Sequence, residues 1–66
     1  MTWIENKTGE FIAFTNKGWM IVMQAADGRW YWSHGGKPQF WFDTSDAAKA
    51  SAERWAALAG LRDILP

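Results

Sequence analysis

Apolar, aromatic and β-branched residues come in short runs along this chain, and turn-forming residues separate the runs. The runs are Trp3-Ile4, Phe11 to Thr15, Trp19 to Ala25, Trp30 to His34 and Gln39 to Phe42. Between them stand Thr8-Gly9, Asn16-Lys17-Gly18, Asp27-Gly28 and Gly35-Gly36-Lys37-Pro38. Glycine reaches positive φ without a Cβ clash, and Asn or Asp tolerates it, so these are turn signals. Short strand-like runs joined by such turns predict an antiparallel meander. Three strands follow directly from the pattern, a fourth from Gln39 to Phe42, and Trp3-Ile4 marks a further short candidate.

The period changes after Thr44. Ala47, Ala48, Ala50, Ala52, Trp55, Ala56, Ala57, Leu58 and Ala59 follow with no Gly or Pro until Gly60, and alanine has the highest helix propensity. Thr44 is the expected N-cap, accepting from a backbone N–H near Asp46 or Ala47, with Asp43 and Asp46 at the positive end of the helix dipole. Gly60 stands where a left-handed residue ends a helix. Helical spacing groups Ala48, Ala52, Trp55, Leu58 and Ala59 on the inner face and turns Lys49, Glu53 and Arg54 outward. A helix faced with Ala can lie close to a sheet of bulky residues. Leu61, Ile64 and Leu65 give the tail apolar groups to dock. The predicted fold class is therefore α+β: an antiparallel β-meander of three to four strands, then one C-terminal α-helix packed on one sheet face, in a single domain spanning residues 1–66.

Alternation within the strands divides the sheet residues between two faces. Trp19, Ile21 and Met23 share one face and Met20, Val22 and Gln24 the other, while Trp30 and Trp32 lie opposite Tyr31. If Ile21, Met23, Trp30, Trp32, Phe40 and Phe42 line the helix side, then Met20, Val22, Tyr31 and Trp41 remain on the other, and the reverse assignment is open as well. Either way a single helix leaves apolar residues uncovered, and a contiguous exposed apolar patch marks an interface.

Composition sharpens this reading. In 66 residues there are six Trp, four Phe and one Tyr, so aromatic rings are the main material for a core in so short a chain. Seven Lys plus Arg balance seven Asp plus Glu, which gives no global field toward nucleic acid or an anionic membrane. Cysteine is absent, which excludes disulfides, a thiolate nucleophile and thiolate-bound zinc, and one histidine excludes a His-rich metal site. No metal and no cofactor are expected. The opening Met-Thr-Trp-Ile-Glu has no basic and apolar signal pattern and no run reaches membrane-spanning length, so a cytoplasmic location is the expectation.

Candidate chemistry is sparse. His34 is the one group suited to general base work near neutral pH, and it precedes a Gly-Gly-Lys turn that lacks the spacing of a phosphate-binding loop. Asp27 belongs to a turn, Asp43 and Asp46 to a helix start, and Glu53 stands four residues after Lys49 in a solvated pair. No carboxylates pair for acid–base chemistry, and no Ser has a base and an orienting acid beside it. The chain is not expected to be an enzyme or to take a small-molecule substrate.

Trp30 to Trp55 resembles the three-strand-plus-helix DNA-binding fold of plant AP2-type domains and of the arm-binding domains of tyrosine recombinases. Phe42, Asp43 and Thr44 match the junction where a strand runs into an Ala-rich helix in those families, followed by Asp46, Ala48, Glu53 and Arg54 at similar places. The resemblance implies a sheet-plus-helix fold and DNA binding. Those families read DNA with Arg-rich strands, whereas Trp19 to Ala25 and Trp30 to His34 contain no Arg or Lys, and Phe40 and Trp41 stand where a glycine is usual. By general type the chain also resembles small accessory proteins of bacteriophages that bind and inhibit a host protein, anti-CRISPR proteins among them.

Three functions follow as expectations. The first is a non-catalytic module that binds another protein, as inhibitor or adaptor, through Trp19, Met20, Val22, Tyr31 and Trp41. The second is a small nucleic-acid-binding domain that places Lys17, Arg29, Lys37 and His34 on phosphates. The third is a homodimer whose surplus aromatics meet one another.

Overall fold

The computed structural model of the protein describes residues 1–64, with the side chains of 37–39 excepted. Five strands form one antiparallel sheet in sequence order: β1 (Ile4–Glu5), β2 (Phe11–Thr15), β3 (Gly18–Gln24), β4 (Trp30–His34) and β5 (Lys37–Phe42). Helix α1 (Ser45–Ala59) follows and lies across one face, against β3, β4 and β5. The meander and its closing helix are as the sequence pattern predicts, with Ile4-Glu5 adding a fifth, two-residue strand.

The turns account for the register. Gly35 and Gly36 (φ 75° and 89°) make a two-residue turn between His34 and Lys37, whose two positive φ values match the twist of a hairpin. The β3–β4 connection differs in a way that decides the sheet. A two-residue turn at Asp27-Gly28 would pair Ala26 with Arg29 and put Ile21 and Met23 on the face of Trp32. Instead Ala25 N–H donates to Arg29 O (2.7 Å), so the loop takes three residues, with Gly28 at φ 92°. That one-residue slip pairs Val22 with Trp32 and Gln24 with Trp30, and a slip of one residue turns every side chain of a strand to the other face. Met20 and Val22 therefore face the helix and are fully buried, while Trp19, Ile21 and Met23 lie on the open face. This corrects the assignment of Met20 and Val22 to the uncovered face.

The core consists of Met20, Val22, Trp32, Ala48, Ala52, Ala56 and Leu61, with Trp3, Phe11, Trp30 and Phe42 packed around it. Three alanines at i, i+4 and i+8 form the inward stripe of the helix and let its backbone approach the sheet closely. The indole of Trp32 fills the space beneath, and its Nε1–H donates to Ser51 Oγ (3.1 Å), so the buried ring leaves no polar atom unpaired. The stripe runs through Ala56 rather than the predicted Trp55, Leu58 and Ala59. Trp55 is too large for the narrow gap and stands at its edge against Trp32 and His34, which leaves Leu58 89% exposed and Ala59 exposed.

Two helix residues expected to point to solvent are half-buried instead. Lys49 Nζ sits 3.5 Å from the centroid of the Phe11 ring, a cation–π contact, and Glu53 accepts from Trp3 Nε1–H (2.9 Å). They serve to pin β2 and the N-terminal segment to the helix, not each other. Both predicted caps are present: Thr44 Oγ1 accepts from Ala47 N–H (3.1 Å), and Gly60 ends the helix at φ 77°.

After the helix, Leu61 is buried and the tail returns along β2. Asn16 N–H donates to Arg62 O (2.9 Å), Ile64 N–H donates to Phe14 O (3.3 Å), and Thr15 bridges Asp63. The edge of β2 is thus covered at one end by β1 and at the other by the tail. Docking of the tail through its apolar side chains holds for Leu61, which joins the core, whereas Ile64 stays 60% exposed and is held by backbone pairing with β2; Leu65 lies outside the described residues.

Candidate functional site

Among the described residues no element covers the face of the sheet opposite the helix. In strand order its central row is Ile4, Ile12, Ile21 and Ser33, each paired with the next across a ladder. On one side of that row Phe14 pairs with Trp19, and on the other Met23 pairs with Tyr31, which pairs with Trp41. None of these strand residues is charged. Trp19 is 54% exposed, Trp41 49%, Ile4 44% and Phe14 39%, whereas Ile21 at the centre is shielded to 9%.

The bulky rings are held in place. Tyr31 and Trp41 meet edge-to-face with centroids 5.0 Å apart, an arrangement that suits the ring quadrupoles. The guanidinium of Arg29 lies 4.9 Å from the Trp41 ring centroid, and its Nε–H donates to Asp27 Oδ2 (2.8 Å). Arg29 is therefore clamped between a carboxylate and an indole at the rim of the face. Asp27 Oδ1 also accepts from Arg29 N–H (3.0 Å). That backbone donor first, and the Arg29 side chain second, hold the Asp27 carboxyl below its ordinary value of 3.8.

A depressed carboxyl stabilises the fold above its unfolded value, and that contribution is lost as pH falls through the folded value. The loss here belongs below pH 3.8, so the Arg29 clamp is expected to be intact throughout the neutral range. An NMR titration of the Asp27 carboxyl should give a midpoint below 3.8, and Arg29→Ala should raise it while the backbone donor keeps part of the shift. A midpoint unmoved by Arg29→Ala would remove the side-chain half of the clamp.

The residues expected to bind a partner divide accordingly. Trp19 lies at one corner of the open face and Tyr31 with Trp41 at the opposite corner, and Met20 and Val22 belong to the core, so those two are removed from the site. Ile4, Ile12, Phe14, Ile21, Met23 and Ile64 were missed. Alternation in β2 already separates Ile12 and Phe14 from Phe11, Ala13 and Thr15, and that signal was legible; the place of Ile64 depends on the tail's pairing with β2 and was not.

The residues expected on phosphates do not form one surface. Lys17 and His34 lie at one end of the sheet and Arg29 at the other, and the side chain of Lys37 lies outside those described. His34 Nε2 is 2.9 Å from Lys17 O, and since a carbonyl only accepts, Nε2 carries the proton. A cleft of about 400 Å³ opens there, lined by Lys17, Gly18, Trp19, His34, Gly35 and Gly36. Among the described residues its lining contains no carboxylate or hydroxyl side chain to work with the imidazole. Among the described residues no three His, Cys, Asp or Glu side chains converge to hold a metal, and no helix is long and apolar enough to cross a membrane. No known protein family, curated protein or solved structure matches the chain.

Proposed function

We propose that the protein is a non-catalytic docking module that acts on another protein, as a stoichiometric adaptor or inhibitor, through the open face of its sheet. The observation that carries this reading is an apolar face, uncharged among the described side chains, with two half-exposed tryptophans, on a sheet whose other face carries the helix and the core. Antiparallel sheets that meet water on one side normally alternate apolar-in with polar-out. Here the outward positions carry Ile4, Phe14, Trp19 and Trp41. Tryptophan and tyrosine in a pre-set geometry dominate binding energy at protein interfaces. The absence of Lys and Arg among the described side chains of the face favours a protein surface over a phosphate backbone.

The test uses the protein and its Trp41→Ala variant as baits against an extract of the producing cell, at low and at high salt. A protein partner should be retained by the parent chain whatever the salt. Its affinity should fall at least tenfold with Trp41→Ala, as for a hot-spot truncation of about 2 kcal/mol. Partner affinity unchanged in Trp41→Ala would overturn the assignment. Retention of nucleic acid alone, lost steeply as salt rises, would replace it with phosphate binding.

A further inference from the structure

We infer that the free protein covers this face with a second copy of itself, so that docking on another protein is an exchange of partners; the inference rests on the open face being the docking surface. Area, charge and shape each point to the same occupant.

The exposed parts of Ile4, Phe14, Trp19, Trp41 and Ile64 sum to on the order of 500 Å² when large side chains present about 150–250 Å² each. Two such faces together would bury about 1,000 Å², at the lower edge of what specific interfaces need. That is enough for a reversible dimer and too little for a permanent one, as an exchangeable cover requires.

Among the described side chains no strand residue of the face is charged, and the ionic pair of Arg29 with Asp27 at its rim is neutralised within the same copy. The chain as a whole carries seven positive and seven negative side chains. Two copies therefore approach face to face without like-charge repulsion, and neither buries an unpaired charge.

The relief of the face is self-complementary. Bulky rings occupy two diagonal corners, Phe14 with Trp19 and Tyr31 with Trp41. The other, low diagonal carries no aromatic ring: the Gly35-Gly36 turn beyond Ser33 forms one corner and the β1–β2 connection, with Thr8 and Gly9, the other. A two-fold axis lying between the faces, along or across the strands, sets each bulky corner of one copy over a low corner of the other. An isologous interface requires this kind of match.

Sedimentation equilibrium from roughly 1 µM to several hundred µM decides the matter, since a weak dimer dissociates within that range. The parent chain should move from the mass of one chain toward two, at low and high salt alike. Trp19→Glu and Trp41→Glu should each weaken the dimer at least tenfold, with Arg54→Glu on the helix exterior as the control that leaves it unchanged. Near-UV dichroism of the buried Trp32 reports whether each variant is folded. A parent chain that stays monomeric overturns the self-covering and leaves the docking face bare but still available. A dimer that survives both face variants overturns it too, by placing self-association elsewhere. Failure of the docking reading is read separately, as partner affinity indifferent to Trp41→Ala.

Discussion

Trp32→Ala is expected to destabilise the fold by about 3–5 kcal/mol, the range for removing a buried aromatic ring from a core. Trp32 is 1% exposed, lies beneath the alanine stripe, and touches the Trp55 ring at a centroid distance of 5.5 Å. Its loss empties the widest part of the core and leaves the Ser51 hydroxyl without its donor. A chain of 66 residues has a total stability of roughly 3–10 kcal/mol at ordinary values per residue. The variant should therefore lose from about a third to all of its stability, and toward the lower end of that range it is largely unfolded at 25 °C. Urea unfolding followed by far-UV dichroism measures this, and a loss under about 1 kcal/mol would mean that Trp32 does not organise the core. Met20→Ala belongs to the same class: it should lower stability, and any effect on partner binding should disappear once the folded fraction is taken into account.

Ala52→Leu is expected to be nearly as damaging although it adds apolar atoms. Ala52 is fully buried between Ala48 and Ala56 on the inward stripe of the helix. Three more carbons have no space there, so the helix must lift or Trp32 must leave its rotamer, at a cost of about 1–3 kcal/mol or more. Ala50→Leu, at an exposed helix position, is the control and should change stability by less than about 0.5 kcal/mol. If Ala52→Leu melted with the parent chain, the close approach of helix and sheet would be wrong. The pair of variants separates packing from helix propensity, which favours Leu and Ala almost equally.

The elements were legible because their causes are local. Thr44 caps the helix through a hydroxyl three residues from the N–H it satisfies, and Gly60 ends it by taking a left-handed φ that other residues avoid. The Gly35-Gly36 hairpin depends on two adjacent residues in the same way. Composition also announced that one helix could not cover all the aromatic surface, so an exposed apolar face was foreseeable before its membership was.

Its membership turned on a single residue of loop length. Asp27-Gly28 suits both a two-residue and a three-residue connection, and those two differ in which half of β3 meets Trp30 and Trp32. The choice rests on how the whole sheet packs beneath the helix. Met20 and Val22 fit under a close-lying alanine stripe, and the Trp19 indole does not. The roles of Lys49, Glu53 and Ile64 were hidden for a similar reason. Each is set by a residue far along the chain: Phe11, Trp3 and Phe14.

From sequence alone came the order of strands and helix, both ends of the helix, and the surplus of aromatic surface. These depend on propensity, turn chemistry and composition, which act within a few residues or over the whole chain at once. The tertiary structure decided the facing of β3, the slim alanine contact that displaces Trp55 and Leu58, and the gathering of Trp19, Tyr31 and Trp41 on one open face. Those depend on register and on volume matched across the core, and both are properties of pairs of residues that only the folded chain brings together.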